Sequence, residues 1–149
     1  MLKTIDPLLT PELLFVLAAM GHGDEIAIVD ANFPADSVAG STCYGRVVSL
    51  AGASMPEVVD AILSVLPLDD YVAAPVRTMA ATTEGLAEVQ QEVQALIDAD
   101  AGRHSPMGVM ERGAFYEAAR GSYAVVRTGE RRLVGNVLIK KGVIPPSSS

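Results

Sequence analysis

The sequence predicts a three-layer α/β/α protein, with helices on both faces of a mixed, mostly parallel sheet of about six strands. Short apolar segments typical of strands alternate along the chain with longer segments of helical periodicity. The segment 26–29 is wholly apolar between two acidic residues, which is typical of a strand covered on both faces. We expect a single domain over residues 1–143 and a disordered tail over 144–149, which is rich in proline and serine.

The first helix is predicted from signals at its two ends. Thr10 is a good N-cap, Pro11 suits the first helical position, and Glu12 lies beside the positive end of the helix dipole. The apolar residues that recur at helical spacing are Leu13, Val16, Leu17 and Met20. Gly21 or Gly23 is expected to end this helix before the first strand begins.

A second strand and a second helix are predicted in the middle of the chain. The strand covers 46–50, and the helix begins with a capping box formed by Ser54 and Glu57. Its predicted buried stripe consists of Val58, Val59, Ile62, Val65 and Leu66. Pro67 is expected to end the helix, because proline cannot continue the hydrogen-bond pattern.

The last part of the chain predicts three more strands and two more helices. A strand is expected within 71–81, and a helix follows with apolar positions at Leu86, Val89, Val93 and Leu96. A short helix is predicted at 114–120. The closing strands are predicted at 123–127 and 137–139, with Gly129 in the connection. Because this connection is short, we expect the closing strands to form an antiparallel pair.

Composition and charge argue against several classes of function. With 18 acidic and 11 basic residues, the chain carries a formal net charge of −7, which disfavours binding to nucleic acids or anionic membranes. Its longest charge-free apolar run, 13–20, is far shorter than the ~20 residues of a membrane-spanning helix. No secretory signal pattern is found, so we expect a cytoplasmic protein. Only 19% of residues are charged, and the surplus apolar surface suggests a subunit interface.

Two titratable residues flank the first strand and are candidates for a site. His22 lies between two glycines, where its imidazole can give or take a proton near neutral pH, or can cap the preceding helix. Asp30 follows the strand, where open α/β sheets bind ligands, although it can equally form a turn. If 23–29 is extended, the two residues lie ~26 Å apart. One small ligand then reaches both only if the glycine-rich segment curls back or if different subunits supply them.

Two further residues could bind a ligand. Arg112 offers five donors to an oxygen-rich ligand but could be an ordinary surface arginine, and Asn136 suits either hydroxyl recognition or a turn. No Gly-x-Gly-x-x-Gly or P-loop pattern is present, so no phosphate cradle is predicted. His22 and His104 are the only histidines, and neither has a second ligand at metal spacing. Cys43 is the only cysteine, which excludes an intramolecular disulfide.

Seven short segments carry a resemblance to a known family, namely 1–5, 20–26, 30–34, 114–117, 128–131, 135–136 and 140–142. Together they resemble the L-fucose mutarotase / D-ribose pyranase family. The resemblance extends from residue 1 to about 143 and is weaker between positions 37 and 108. Its amino-terminal part is specific, because three separated elements agree in order and spacing.

The resemblance implies a role for each candidate residue. His22 falls on the family's general acid/base, while Asp30 and Arg112 fall on its sugar-binding positions. An arginine at position 112 favours the fucose branch over the ribose branch. A neighbouring subunit's Tyr-Gly-Asn usually completes the family's site, and in this chain that triplet is Val134, Gly135 and Asn136. Tyr116 is a lesser candidate, because it could equally belong to the core.

The implied activity is interconversion of the α and β anomers of a free monosaccharide, L-fucose, by ring opening and closure. Only proton transfers are needed, so no metal and no cofactor are implied. The implied partners are the monosaccharide and further copies of the chain, in rings that are usually decameric with sites between subunits. The valine at position 134 keeps two alternatives open, a non-catalytic sugar-binding or transport-accessory protein and a ribose-type pyranase. A purely structural oligomer is the remaining alternative.

Overall fold

The computed structural model describes residues 1–147, and within them strand β1 (Glu25–Val29) lies inside a six-stranded sheet. The other strands are β2 (Val47–Leu50), β3 (Val76–Met79), β4 (Gly108–Met110), β5 (Ala124–Thr128) and β6 (Val137–Lys140). Their spatial order is β2-β5-β1-β6-β3-β4. Among the described strands, β6 alone runs antiparallel to its neighbours, and the other pairs are parallel. The prediction of a mixed, mostly parallel sheet is therefore confirmed.

Helices cover both faces of the sheet, which confirms the three-layer prediction. One face carries α1 (Pro11–Ala19), α3 (Met55–Leu63) and α4 (Glu88–Ala101), and the other carries α2 (Ala35–Ala39) and α5 (Arg112–Arg120). Alternate side chains of β1 point to opposite layers, as the pleat of a strand requires. Ile26 and Ile28 pack in the core of the first face, while Ala27 and Val29 pack in the core of the second.

The helix starts predicted at Thr10 and Ser54 are confirmed, whereas the helix predicted at 114–120 begins two residues earlier and one predicted helix end is wrong. The Thr10 hydroxyl accepts the Leu13 amide at 3.2 Å, and Ser54 with Glu57 forms the predicted capping box. Helix α3, however, ends at Leu63 and not at Pro67, because the chain turns at Ser64, whose hydroxyl donates to the Ala61 carbonyl. Val65 therefore lies beyond the helix and is 37% exposed instead of belonging to its buried stripe.

The closing strands β5 and β6 are not neighbours, so the predicted antiparallel pair is wrong. Strand β1 lies between them, parallel to β5 and antiparallel to β6. The connection 129–136 crosses the carboxyl end of β1, where the Ala31 amide donates to the Glu130 carbonyl at 2.8 Å. The chain therefore returns on the far side of β1. Helix α2 and strand β4 were not predicted, because elements of five and three residues are too short to show a period.

The carboxyl-terminal segment is tied to the domain up to Gly142, whose amide donates to the Pro67 carbonyl at 2.8 Å. The disordered tail predicted over 144–149 extends past the described residues, because positions 148 and 149 lie outside them. The boundary at position 143 stays a prediction. No helix within residues 1–147 has the length and apolar character needed to cross a lipid bilayer.

Gly129 allows β5 to leave the sheet close against the turn that follows β2. A Cβ at this position would overlap the carbonyl oxygen of Ala51, so the backbone would have to shift. We expect Gly129→Ala to lower the free energy of unfolding by about 2 kcal/mol or more, measured by urea denaturation. Gly52→Ala is the matched control, because a Cβ there meets no atom within 4 Å. Equal losses in the two variants would contradict this explanation.

Candidate active site

A cavity of about 480 Å³ opens at the edge of the sheet where the parallel strands end. Strand β1 ends there before Asp30, and the antiparallel β6 begins there after Asn136. The residues that line the cavity include Asp30, Phe33, Arg112, Tyr116, Arg132, Val134 and Asn136. The volume falls within the range of small-molecule sites, and this is the edge at which open α/β sheets bind ligands.

Asp30 and Asn136 hold each other through two hydrogen bonds at the base of this cavity. The Asp30 amide donates to Asn136 Oδ1 at 2.9 Å, and Asn136 Nδ2 donates to Asp30 Oδ2 at 3.1 Å. The other carboxylate oxygen of Asp30 accepts the Asn32 amide at 3.0 Å. The resemblance implied that a neighbouring subunit supplies the triplet of residues 134–136. In the structure, this triplet lies beside Asp30 of its own chain.

Within residues 1–147 the Asp30 carboxylate forms no ion pair, and only 4% of the residue is exposed. Burial raises the pKa of Asp30 above its ordinary value, although hydrogen bonds from Asn32, Phe33, Asn136 and Gly135 act in the opposite direction. A glycine at position 135 lets the loop pack closely against Glu130, because a Cβ there would lie 3.1 Å from Cγ of Glu130. The result is an acceptor held by dipoles and poised for hydroxyl donors.

Arg112 and Tyr116 form a second wall of the cavity on helix α5. The Arg112 guanidinium lies 5.6 Å from the centroid of the Tyr116 ring, and its Nη2 donates to the Tyr116 hydroxyl at 3.3 Å. The Tyr116 ring is stacked on Phe33 with 5.1 Å between centroids, and Phe33 contacts the buried Phe115 edge to face. Tyr116 therefore both lines the cavity and packs against the core, so the two roles considered from the sequence, ligand binding and core packing, are compatible.

The loop that carries Val134 is held by an ion pair that the sequence analysis missed. Arg132 Nη2 lies 3.0 Å from Glu130 Oε1 and 2.7 Å from Glu92 on helix α4. Hydrogen bonds from Arg132 hold the pKa of the buried Glu130 carboxyl below its usual range, against the effect of burial. The neighbouring Val134 has a φ of +57°, a left-handed conformation that β-branched residues rarely adopt. The loop is thus held firmly enough to keep one residue strained.

His22 lies at the opposite edge of the sheet and does not line the cavity. Its Nε2 is 3.1 Å from Asp69 Oδ1, and its ring centroid is 5.3 Å from that of Tyr71. The five residues of β1 separate it from Asp30, a span of about 16 Å at ~3.3 Å per residue. One chain therefore brings the other predicted site residues together and leaves His22 apart, by less than the ~26 Å expected for a fully extended 23–29 because the strand begins only at Glu25.

Asp69 is the buried partner of His22, and no local pattern identified it because 47 residues separate the two. Burial alone would raise the pKa of Asp69, but hydrogen bonds from the Tyr71 amide and from His22 hold it below its ordinary value. An ionised carboxylate beside Nε2 favours the tautomer that carries its proton there. Nδ1 of His22 is then the nitrogen that is not committed to Asp69.

The comparisons with known proteins agree with this geometry. The model of the RbsD / FucU transport protein family matches residues 3–144. The chain belongs to this family. A fucose mutarotase from Danio rerio is 45% identical over 148 residues, which are 97% of this chain and 95% of that protein. An L-fucose mutarotase from Actinobacillus pleuropneumoniae is 40% identical over 147 residues, or 97% and 99% of the two chains.

A solved structure is similar to this RbsD / FucU chain along its whole length. The crystal structure of the fucose mutarotase from Streptococcus pneumoniae, in complex with L-fucose, is 34% identical and has a TM-score of 0.87. The match covers 97% of this chain and 100% of that one. The resemblance found in the sequence is therefore confirmed at the level of the family and of the fold.

The strained backbone of Val134 in this RbsD / FucU chain is open to a direct test. Asparagine tolerates the left-handed region, which costs ~1–2 kcal/mol for other residues. We expect Val134→Asn to raise the free energy of unfolding by about 1 kcal/mol, measured by urea denaturation. Val109→Asn is the control, because Val109 is exposed on β4 and has no positive φ. A loss at position 134 as large as that at 109 would show that strain does not matter there.

Proposed function

We propose that this chain is an isomerase, a mutarotase that interconverts the α and β anomers of free L-fucose. The observation that carries the proposal is the buried Asp30–Asn136 pair beside Arg112, in the cavity of a chain that is 45% identical to a fucose mutarotase. A neutral sugar with several hydroxyl groups matches such a set of hydrogen-bonding groups better than an anion does, because the buried carboxylate would repel a negative charge.

In this proposal different side chains of the cavity recognise different parts of the sugar. The Asp30 carboxylate faces the cavity and is the acceptor for sugar hydroxyls, beside the backbone and amide donors that already surround it. Asn136 Nδ2 keeps a second N–H, and Arg112 supplies further donors. The Tyr116 ring can pack against the face of the pyranose that carries its C–H groups.

The reaction needs proton transfer and no change of oxidation state. On ring opening, the anomeric hydroxyl releases its proton to solvent, the ring oxygen receives one, and the bond between C1 and the ring oxygen breaks. Rotation about the C1–C2 bond presents the other face of the aldehyde, and closure reverses both transfers. In this proposal His22 acts as the imidazolium, protonated on both nitrogens: it donates the Nδ1 proton to the ring oxygen, becomes the neutral imidazole, and takes the proton back from the resulting hydroxyl on closure. Asp69 keeps the imidazole oriented by holding Nε2–H.

The active site forms between copies of the chain in this proposal, because His22 and Asp30 lie at opposite ends of β1. His22 of one copy enters the cleft of the next copy, and rings of ten copies are the expected assembly. The low proportion of charged residues and the large apolar side chains at the surface, such as Phe15 and Leu133, support burial between copies. We place the protein in the cytoplasm, where its lone cysteine stays reduced.

Saturation-transfer proton NMR of equilibrated L-fucose measures the rate at which its anomers exchange. We expect the chain to accelerate exchange and His22→Ala to lower the rate constant by ~10²–10⁴-fold, because general acid catalysis is lost. His104→Ala is the matched control, since His104 also pairs with an aspartate, Asp98, at 2.8 Å but has no role in the proposed reaction.

The same experiment separates the alternatives. Equal exchange rates for the wild type and His22→Ala would refute the assignment of His22. Exchange of ribose ring forms without exchange of fucose would select a ribose-type pyranase. Saturable sugar binding without faster exchange would select a non-catalytic binding protein, the alternative that Val134 favours.

Mixed assemblies test whether two copies share one site. His22→Ala and Asp30→Asn are each expected to abolish acceleration in a uniform assembly. When equal amounts are refolded together, about a quarter of head-to-tail contacts join an intact His22 to an intact Asp30. We therefore expect about a quarter of the wild-type rate, with mixing verified by native mass spectrometry. Mixed assemblies that remain inactive would contradict a site shared in this way.

A further inference from the structure

We propose that Gln90 and Thr78 are positioning residues for Asn136, the amide that holds Asp30 and faces the cavity. Neither residue lines the cavity of the candidate active site, and both are buried, with 2% of Gln90 and 0% of Thr78 exposed. The inference deepens the proposed function and rests on it, because the position of Asn136 is expected to determine how tightly the sugar binds.

The backbone of Asn136 lies just beyond the regular hydrogen bonding of the sheet. The first residue of β6, Val137, is paired with Ile28 of β1 and Thr78 of β3, and Asn136 comes before it. At Asn136 the carbonyl oxygen accepts the Met79 amide at a long 3.4 Å but accepts the Thr78 hydroxyl at 2.9 Å. The shorter bond that fixes Asn136 therefore comes from a side chain and not from the ladder.

The hydrogen-bond directions leading from helix α4 to Asn136 are determined at every step. The Ala87 amide donates to Gln90 Oε1 at 2.9 Å, which fixes the orientation of the amide group. Gln90 Nε2 then donates to Thr78 Oγ1 at 2.9 Å and to the Met79 carbonyl at 2.7 Å. Because Thr78 Oγ1 accepts from Gln90, its one proton is directed to the Asn136 carbonyl. Exchanging donor and acceptor at any of these hydrogen bonds would leave a buried polar group without a partner.

A buried glutamine is an unusual choice at this position of α4. The other buried positions of the helix are apolar, namely Val89, Val93 and Ile97, so an apolar side chain would satisfy the core. A buried amide is tolerated when its donors and its acceptor are paired, and both N–H groups and the oxygen of Gln90 are hydrogen-bonded. Its bonds join the start of α4, where Ala87 and Glu88 line the cavity, to the end of β3. This polar network therefore supports the site more directly than it supports the core.

Thr78→Val and Gln90→Met test the inference, since each keeps the volume and removes the bonds. We expect each to raise the KM for L-fucose exchange about tenfold while kcat changes less than about twofold, because Asn136 binds ground state and transition state alike. Thr78→Ser keeps the hydroxyl and is expected to restore the KM. Gln94→Met is the matched control, because Gln94 makes three comparable bonds, to Asp98 and the Ser105–Met107 segment.

A second measurement does not depend on activity. The side-chain amide signal of Asn136 in ¹⁵N NMR is expected to shift in Thr78→Val and Gln90→Met but not in Gln94→Met. An unchanged KM together with an unchanged Asn136 signal in Thr78→Val would overturn the inference. Equal increases in KM in Thr78→Ser and Gln94→Met would also overturn it, because they would show general destabilisation. If the wild type does not accelerate exchange, the proposed function fails, and the amide signal still tests the positioning of Asn136.

Discussion

Two hydrogen bonds between Asp30 and Asn136, residues 106 positions apart, join the end of β1 to the start of β6. They can form because β6 runs antiparallel between β1 and β3, so its first residue lies at the edge where the parallel strands finish. A wholly parallel sheet would have ended every strand at this edge and begun none. The reversed strand therefore brings the loop 129–136 over the open end of β1. The cavity wall at Arg132 and Val134 depends on that return.

Three buried carboxylates illustrate three ways to compensate the cost of removing charge from water. Glu130 has a guanidinium beside it, and its pKa falls. Asp69 has an imidazole and a backbone amide, and its pKa also falls. Asp30 has only neutral donors, and its pKa rises. The first two are paired with ionisable side chains, whereas Asp30 keeps a more basic carboxylate facing a cavity. In the proposed function, a neutral ligand rich in hydroxyl groups donates to this carboxylate without adding charge.

Features that depend on neighbours in sequence were predictable, and features that depend on tertiary pairing were not. The caps at Thr10 and Ser54 and the buried strand at 26–29 involve residues within a few positions of one another. The pairing of β5 with β1 instead of β6 depends on which strand fills the space between them, which no local pattern records. The same division holds at the site. Asp30 was found from its place at the end of a strand and Arg112 from the chemistry of its guanidinium group and the family resemblance. Asp69 and Arg132 were missed, because their partners His22 and Glu92 are far from them in the sequence.

The separation of His22 from Asp30 was foreseeable, because the rise of an extended strand sets a minimum distance whatever the rest of the fold does. In the proposed shared site, sugar recognition and proton donation are carried out by residues of different copies, and the two tasks differ in how accurately the groups must be placed. Distinguishing sugars by their hydroxyl groups needs fixed donors and acceptors, and Asp30 and Asn136 lie within one continuous, buried network of a single chain. Donating a proton to a ring oxygen tolerates looser placement, because water already opens the ring without a catalyst. The residue given this less exacting task, His22, is the one that has to cross between copies.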